Sequence, residues 1–234
     1  MKLGPFPNVP RYEAVIHLHR LYLEHQNPQK ALEMSAYMRN KFPFYGIQSV
    51  QRKELSRQFL KAHGELDVST MTRACFAGQG RELQYFVNDW LRPQAKNLDP
   101  ELLPLLEELI VTRSWWDTVD FLAPSIIGII LKADHNLWKQ YPEKWIKHEN
   151  IWLKRSAILF QLKYKQDTDE QTLFRYCQMC AYEKEFFIQK AMGWALREYS
   201  KLDPEAVLKF LTDSPMPSLT DREARKWLNK QKLS

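Results

Sequence analysis

Apolar residues recur at intervals of three and four along almost the whole chain, and stretches of strict apolar and polar alternation are hard to find. The first spacing places side chains on one face of an α-helix, whereas alternation is typical of a half-buried strand. The sequence therefore predicts an all-α protein. Its helices are expected to be joined by short loops, which favour antiparallel neighbours that stack in pairs.

Several helix starts are marked in the sequence. Asn27-Pro28, Asp99-Pro100 and Asp203-Pro204 each place a capping side chain before a proline at the first helical position. The segment Thr220-Asp221-Arg222-Glu223 matches a capping box, which predicts a further helix start near residue 220.

One part of the chain echoes another. Residues 151–164 (IWLKRSAILFQLKY) align with residues 186–199 (FFIQKAMGWALREY) at an offset of 35 residues, and tyrosine closes both copies. A period of about 35 to 40 residues in a helical chain is typical of HEAT-like repeats, which stack into superhelical arrays with a concave binding surface. We therefore predict that residues 1–234 form a single domain of HEAT-like helical repeats with a concave groove.

Composition narrows the functional classes. The chain has 234 residues, enough for one large domain or one repeat array, and only 7 of them are glycine. It contains neither GxGxxG nor GxxxxGK[ST], so a Rossmann or P-loop enzyme has no support. Lysine and arginine (34) exceed aspartate and glutamate (28) by 6. This excess fits a polyanionic partner such as nucleic acid, but it also fits an ordinary basic protein.

The predicted location is the cytoplasm, with no membrane association. No secretory signal is recognised at the N-terminus, and the most apolar stretch, 121–131, contains Pro124 and is too short to cross a bilayer. The three cysteines, Cys75, Cys177 and Cys180, agree with a reducing compartment.

A candidate site lies in residues 113–121 (RSWWDTVDF). Trp116 and Asp120 are four residues apart and would share one face of a helix. The alternative is that the tryptophans are core residues and the acids are solvated or capping groups. Arg155 and Trp194 lie on the two echoing helices, so a groove could gather all four side chains. Trp194 replaces Leu159 of the preceding copy, which indicates either a functional residue or variation in the core.

No metal or cofactor is expected. A structural zinc site needs about four ligands, and the single CxxC pair, Cys177 and Cys180, has no second pair, so we predict buried thiols. The six histidines form no HExxH pattern, and no GxSxG nucleophile elbow is present.

Basic residues could follow a phosphate backbone. Lys163, Lys190 and Arg197 recur on the echoing helices, where a solvated face and a phosphate-tracking stripe are both open interpretations. Ser49 and Lys53 lie at a predicted helix start, where backbone N–H groups and a hydroxyl suit a phosphate.

Residues 106–120 (LEELIVTRSWWDTVD) resemble the signature region of the AlkD family of bacterial alkylpurine DNA glycosylases. Residues 150–165 (NIWLKRSAILFQLKYK) and 184–199 (KEFFIQKAMGWALREY) resemble the same family, as does the N-terminal segment His25-Gln26-Asn27-Pro28. The resemblance extends from about residue 12 to about residue 228.

The resemblance implies a monomeric, nucleoid-associated enzyme with a concave, basic groove that holds duplex DNA. It further implies release of N3- and N7-alkylated purines, such as 3-methyladenine and 7-methylguanine, without reliance on a pocket for a flipped base. Asp120 would be the catalytic aspartate, and Trp116 and Trp194 would contact the deoxyribose. Arg155 and Tyr37 would contact DNA. Lys53 and Val50 stand where relatives can have arginine and proline.

The residue types suit this chemistry on their own. A purine alkylated at N3 or N7 is cationic and leaves as a neutral base, so a strong general acid is not required. A carboxylate can stabilise the oxocarbenium-like sugar and orient the attacking water, and indole faces favour cations. Two alternatives stay open: a non-catalytic HEAT-repeat protein that binds DNA or acts as a scaffold, and a helical-repeat protein that binds peptides.

Overall fold

The computed structural model describes residues 13–231, and this range contains helices and no β-strand. The predicted all-α class is therefore confirmed, and the helices are consistent with a HEAT-like helical repeat array. The α-helices are α1 Glu13–Glu24, α2 Pro28–Tyr37, α3 Ser49–His63, α4 Val68–Ala77, α5 Arg81–Leu91, α6 Leu103–Val111, α7 Trp116–Leu122, α8 Gly128–Ala133, α9 Pro142–Trp145, α10 Ile151–Leu159, α11 Glu170–Met179, α12 Phe186–Tyr199, α13 Pro204–Asp213 and α14 Ser218–Gln231.

The chain divides into two compact units at the boundary between Gln94 and Ala95. Helices α1 to α5 belong to the first unit and α6 to α14 to the second. A single domain over residues 1–234 stays a prediction. The N-terminal segment that bears on the absence of a secretory signal lies outside the described residues.

Most of the predicted helix starts are confirmed. The Asn27 side chain accepts a hydrogen bond from the Lys30 N–H (3.0 Å) at the start of α2, and Asp203 accepts one from the Ala206 N–H (2.8 Å) at the start of α13. Asp99 likewise caps the segment that begins at Pro100, but its first turn is a 3₁₀ helix, Pro100–Leu102, that leads directly into α6.

The helix start predicted near residue 220 is confirmed, but the capping box predicted at residues 220–223 is wrong. Helix α14 begins at Ser218, so Thr220 lies in its first turn. Its hydroxyl donates a hydrogen bond to the Gln189 carbonyl of α12 (3.0 Å) instead of capping α14. Thr220 therefore serves the packing of α14 on α12, and the Glu223 carboxylate accepts from basic side chains of α12.

A buried carboxylate shapes the loop that leads into α3 in the first unit. Glu82 accepts hydrogen bonds from the backbone N–H groups of Tyr45 (3.0 Å), Gly46 (2.8 Å) and Ile47 (3.1 Å). Gly46 has a φ of 86°, a left-handed conformation that favours glycine. The start of α3, where Ser49 lies, is thus held by α5.

Close packing in the second unit brings α7 and α10 together. Helix α7 continues through a π-helical segment, Ala123–Ile127, into α8. A Cβ atom at Gly128 would overlap the carbonyl oxygen of Phe160, so only glycine permits this approach of α8 to the end of α10. The Tyr164 hydroxyl adds a hydrogen bond to the Gly128 carbonyl (2.6 Å). These contacts fix the register in which α7 faces α10.

The two echoing segments, 151–164 and 186–199, contain α10 and α12, and these helices pack against each other. Helix α12 in turn packs against α14. Cys177 and Cys180 are free and buried, as predicted. Between residues 13 and 231, no cluster of three or more His, Cys, Asp or Glu side chains could hold a metal ion. Within the same range, no helix combines the length and apolar character that a membrane span requires.

Candidate active site

A pocket of about 270 Å³ opens on the second unit. Six of the residues that line it were predicted from the sequence as catalytic or DNA-binding groups: Trp116, Asp120, Arg155, Lys190, Trp194 and Arg197. Phe186, Phe187 and Glu223 complete the lining. Side chains from α7, α10, α12 and α14 thus converge on one site.

The two adjacent tryptophans have different environments. Trp115 immediately precedes α7 and is buried, with its ring 5.0 Å from Phe187 and 5.7 Å from Trp152. Trp116 is the first residue of α7 and, like Asp120 one turn later, is half-buried and lines the pocket. The structure therefore confirms that Trp115 belongs to the core and that Trp116 and Asp120 share one face. Asp117, in the first turn of the same helix, does not line the pocket.

Asp120 and Arg155 form a two-pronged ion pair. The Arg155 Nε donates to Asp120 Oδ1 at 2.6 Å, and Nη2 donates to Oδ2 at 2.7 Å. The remaining guanidinium nitrogen, Nη1, donates to the backbone carbonyl of Phe187. The side chain of Arg155 is only 5% exposed, whereas that of Asp120 is 16% exposed.

This geometry fixes the orientation of the Asp120 carboxylate. A guanidinium presents planar, parallel N–H donors, so a bidentate pair fixes both the position and the plane of the carboxylate. Each carboxylate oxygen can accept more than one hydrogen bond, so Asp120 keeps acceptor capacity toward the pocket. Arg155 is itself held by α12 through the Phe187 carbonyl. The acid is therefore preorganised by two neighbouring helices.

A second cluster of charges lies on α12 and α14. Lys190, Trp194 and Arg197 follow one another at spacings of four and three residues, which places them on one face of α12. Glu223 of α14 accepts from Lys190 (2.9 Å) and Arg197 (2.9 Å), and also from Lys226 (2.7 Å). Burial on its own raises the pKa of Glu223, but the hydrogen bonds from Lys226 and Lys190 outweigh it and lower this pKa to about 2.

The charges of the lining leave an excess of positive charge. Three cations (Arg155, Lys190 and Arg197) face two carboxylates (Asp120 and Glu223). Asp120 is matched by Arg155 alone, whereas Glu223 is shared by both cations of α12. An anionic group is therefore favoured beside Lys190 and Arg197, whereas Asp120 is the carboxylate that a cationic group in the pocket would contact.

Three of the lining residues were not predicted from the sequence. Phe186 is 53% exposed, and Phe187 contributes its carbonyl; both open the second copy of the echo, which was a signal for them. Glu223 was not predicted as a site residue because its spacing from Thr220 matches a capping box. A different spacing could have indicated it, since it follows Lys190 by 33 residues, close to the 35 that separate Arg155 from Asp120.

The other predicted DNA-binding residues lie elsewhere. The Lys163 Nζ donates to the Ser125 hydroxyl (2.6 Å) beside the π-helical segment and does not line the pocket. Tyr37, Ser49 and Lys53 belong to the first unit, where Tyr37 is 72% exposed at the end of α2 and the other two are exposed in the first turns of α3. Their roles stay predictions.

Comparison with known proteins shows the family of the chain. Residues 19–228 match the family described as DNA alkylation repair enzyme, so the chain belongs to the DNA alkylation repair enzyme family. A solved structure described as a predicted DNA alkylation repair enzyme from Enterococcus faecalis is similar to this chain, with a TM-score of 0.81 and 31% sequence identity. That similarity covers 88% of this chain and 97% of the other. No curated protein matches the chain. The protein is thus an enzyme of DNA repair.

Proposed function

We propose that this protein is a monofunctional DNA glycosylase that hydrolyses the N-glycosidic bond of cationic N3- and N7-alkylated purines in duplex DNA and leaves an abasic site. The observation that supports this most strongly is the Asp120 carboxylate, fixed by Arg155 in a pocket that also contains Trp116 and Trp194. 3-Methyladenine and 7-methylguanine are the expected released bases.

The reaction does not require a strong general acid from the protein, because the alkylated base is already cationic. The bond between C1′ and the purine nitrogen breaks with its electron pair moving to the base, which departs neutral. The sugar becomes an oxocarbenium-like cation. Asp120 stabilises this cation and orients the water whose oxygen attacks C1′, and preorganised charge of this kind contributes strongly to rate acceleration.

The two indoles complement the carboxylate. Trp116 and Trp194 are half-buried and line the same pocket, and in this proposal both indoles contact the deoxyribose. An indole face stabilises a nearby cation by about 0.5 to 2 kcal/mol. This contribution grows as positive charge develops on the sugar, so it favours the transition state over the bound substrate.

Arg155 acts in this proposal as a positioning residue. Its guanidinium uses all three of its nitrogens within the protein, two on Asp120 and one on the Phe187 carbonyl. It therefore holds the carboxylate for C1′, and the direct DNA contact expected from the sequence stays a prediction.

The DNA would be held by basic and polar residues around the pocket and in the first unit. Lys190 and Arg197 line the pocket itself. Lys163, Tyr37, Ser49 and Lys53 are proposed as further contacts, and a concave basic groove is part of the proposal. The enzyme would act as a cytoplasmic monomer on nucleoid DNA without a metal or cofactor.

Incubation of the protein with methylated duplex DNA in EDTA, followed by heating in alkali, tests the proposal. We expect strand breaks at alkylated purines, since alkali cleaves abasic sites. Asp120→Asn should bind the same duplex but release little base, whereas Asp117→Asn, a matched change on the same helix outside the pocket, should stay active. Duplex binding by the wild-type protein without strand breaks would favour the non-catalytic alternative.

A further inference from the structure

Glu223 is not explained by the glycosylase chemistry. Its side chain is only 6% exposed, yet it lines the pocket. It pairs with Lys190 and Arg197, not with Arg155, the partner of Asp120. A carboxylate beside a DNA-binding surface repels phosphates, so its presence next to Lys190 and Arg197 calls for a compensating role.

The backbone around Glu223 is rigidly placed against α12. A Cβ atom at Gly193 would lie 2.5 Å from the Glu223 Cβ and 2.9 Å from the Thr220 carbonyl oxygen, so the two helices touch at this point. The Thr220 hydroxyl bonds to the Gln189 carbonyl one turn earlier (3.0 Å). The backbone that carries the Glu223 carboxylate is therefore held close to α12.

Both carboxylate oxygens are used to hold cations. Oε1 accepts from Lys190 and Oε2 from Arg197, each at 2.9 Å. Lys190 and Arg197 remain 35% and 27% exposed, and an ammonium and a guanidinium each have more N–H donors than Glu223 can use. With Lys226 also on Oε1, three cations share one carboxylate, and the cluster keeps an excess of two positive charges.

Long basic side chains lose conformational freedom when they bind a ligand, and this loss weakens binding unless the side chains are already held in place. We propose that Glu223 is a positioning residue that holds Lys190 and Arg197, which lie on either side of Trp194, as a preformed clamp. The clamp binds phosphates of the strand that carries the lesion. The ligand class is the phosphodiester of DNA. This inference rests on the proposed function, because it assigns the DNA phosphates next to the reacting sugar to α12.

The substitution Glu223→Gln separates this role from simple electrostatics. It keeps the shape of the side chain and adds one positive charge to the protein, which by charge alone should strengthen binding to DNA. If Glu223 positions the clamp, binding should weaken instead. Glu198→Gln is the matched control, since Glu198 lies on α12, pairs with Lys201 (2.6 Å) and does not line the pocket.

Fluorescence anisotropy with a duplex that carries a tetrahydrofuran abasic-site analogue, titrated over a range of salt concentrations, measures this effect. For Glu223→Gln we expect an affinity roughly 10-fold lower and a salt slope smaller by about 1 to 2, while Glu198→Gln binds as tightly as the wild type or more tightly. In a Lys190→Gln/Arg197→Gln background, adding Glu223→Gln should no longer weaken binding. Unchanged or tighter binding by the folded single variant overturns the inference.

Glu223→Asp keeps the test decisive if Glu223→Gln does not fold. The shorter side chain keeps its charge but withdraws from both cations, so a weaker affinity with a smaller salt slope supports the clamp, and an unchanged affinity overturns it. Binding to the analogue needs no base release. A wild-type protein that binds it but releases no base contradicts the glycosylase proposal alone, whereas failure to bind duplex contradicts both.

Discussion

The substitution Arg155→Lys tests whether Arg155 acts through Asp120 or directly on DNA. Lysine keeps the positive charge at this buried position, but a single ammonium cannot reproduce the planar fork that engages Asp120 Oδ1, Asp120 Oδ2 and the Phe187 carbonyl. The change therefore removes orientation while it largely conserves charge. If Arg155 is a positioning residue, the chemical step should suffer and DNA binding should not.

The magnitude follows from the hydrogen bonds that are lost. Hydrogen bonds to charged groups contribute about 1.5 to 3 kcal/mol each, and the variant loses roughly two of the three. If about 2 to 3 kcal/mol of this is lost from the transition state, the rate of base release falls roughly 30- to 200-fold. Stability should fall by about 2 kcal/mol, which lowers the melting temperature by roughly 4 to 8 °C in a chain of this size.

Single-turnover release of 7-methylguanine at saturating protein measures the chemical step, and anisotropy with a salt titration measures binding. We expect the slower rate at saturation together with an affinity within about 3-fold of the wild type. Arg175→Lys is the control, because Arg175 makes a similar two-pronged pair with Glu143 outside the pocket. An unchanged rate at saturation, combined with weaker binding and a salt slope smaller by about 1, would show instead that Arg155 contacts a phosphate.

Three further outcomes are expected. Trp194→Leu should slow base release at saturation by roughly 2- to 30-fold, whereas Trp227→Leu, equally half-buried but outside the pocket, should not; equal rates for both variants would remove Trp194 from the site. Gly128→Ala should cost about 1 to 3 kcal/mol, because its methyl group overlaps the Phe160 carbonyl, and an unchanged melting temperature would contradict this packing. Because the folded-state pKa of Glu223 is lowered to about 2, its stabilising effect is complete above its ordinary pKa of 4.5 and is lost as the pH falls toward 2. The difference in melting temperature between wild type and Glu223→Gln should therefore shrink over that interval, and a constant difference would refute the assignment.

Local sequence signals were sufficient for much of the fold and part of the site. The spacing of Trp116 and Asp120 predicted their shared face because four residues span about one helical turn. The caps at Asn27 and Asp203 were readable because a side-chain oxygen and a following proline act within one turn.

What could not be predicted depends on contacts between helices. Arg155 was recognised as a basic residue, but its partner 35 residues away in sequence becomes visible only when α7 and α10 pack. Glu223 was misinterpreted for the same reason, since a capping box is a local pattern and its three cation partners are set by the packing of α14 on α12. Ion pairs between neighbouring repeats leave no pattern within a single helix. The only sequence signal for them is that the two partners are separated by about one repeat period.

The most direct test of the central claim is chromatographic identification of the bases that the protein releases from a mixed methylated duplex, compared between wild type and Asp120→Asn at protein concentrations that saturate the DNA. Free 3-methyladenine and 7-methylguanine are expected from the wild type, and release by Asp120→Asn should be lower by roughly 100-fold or more while DNA binding is retained. Equal release by the two proteins, or no free base from the wild type, would show that Asp120 does not catalyse glycosidic cleavage as proposed.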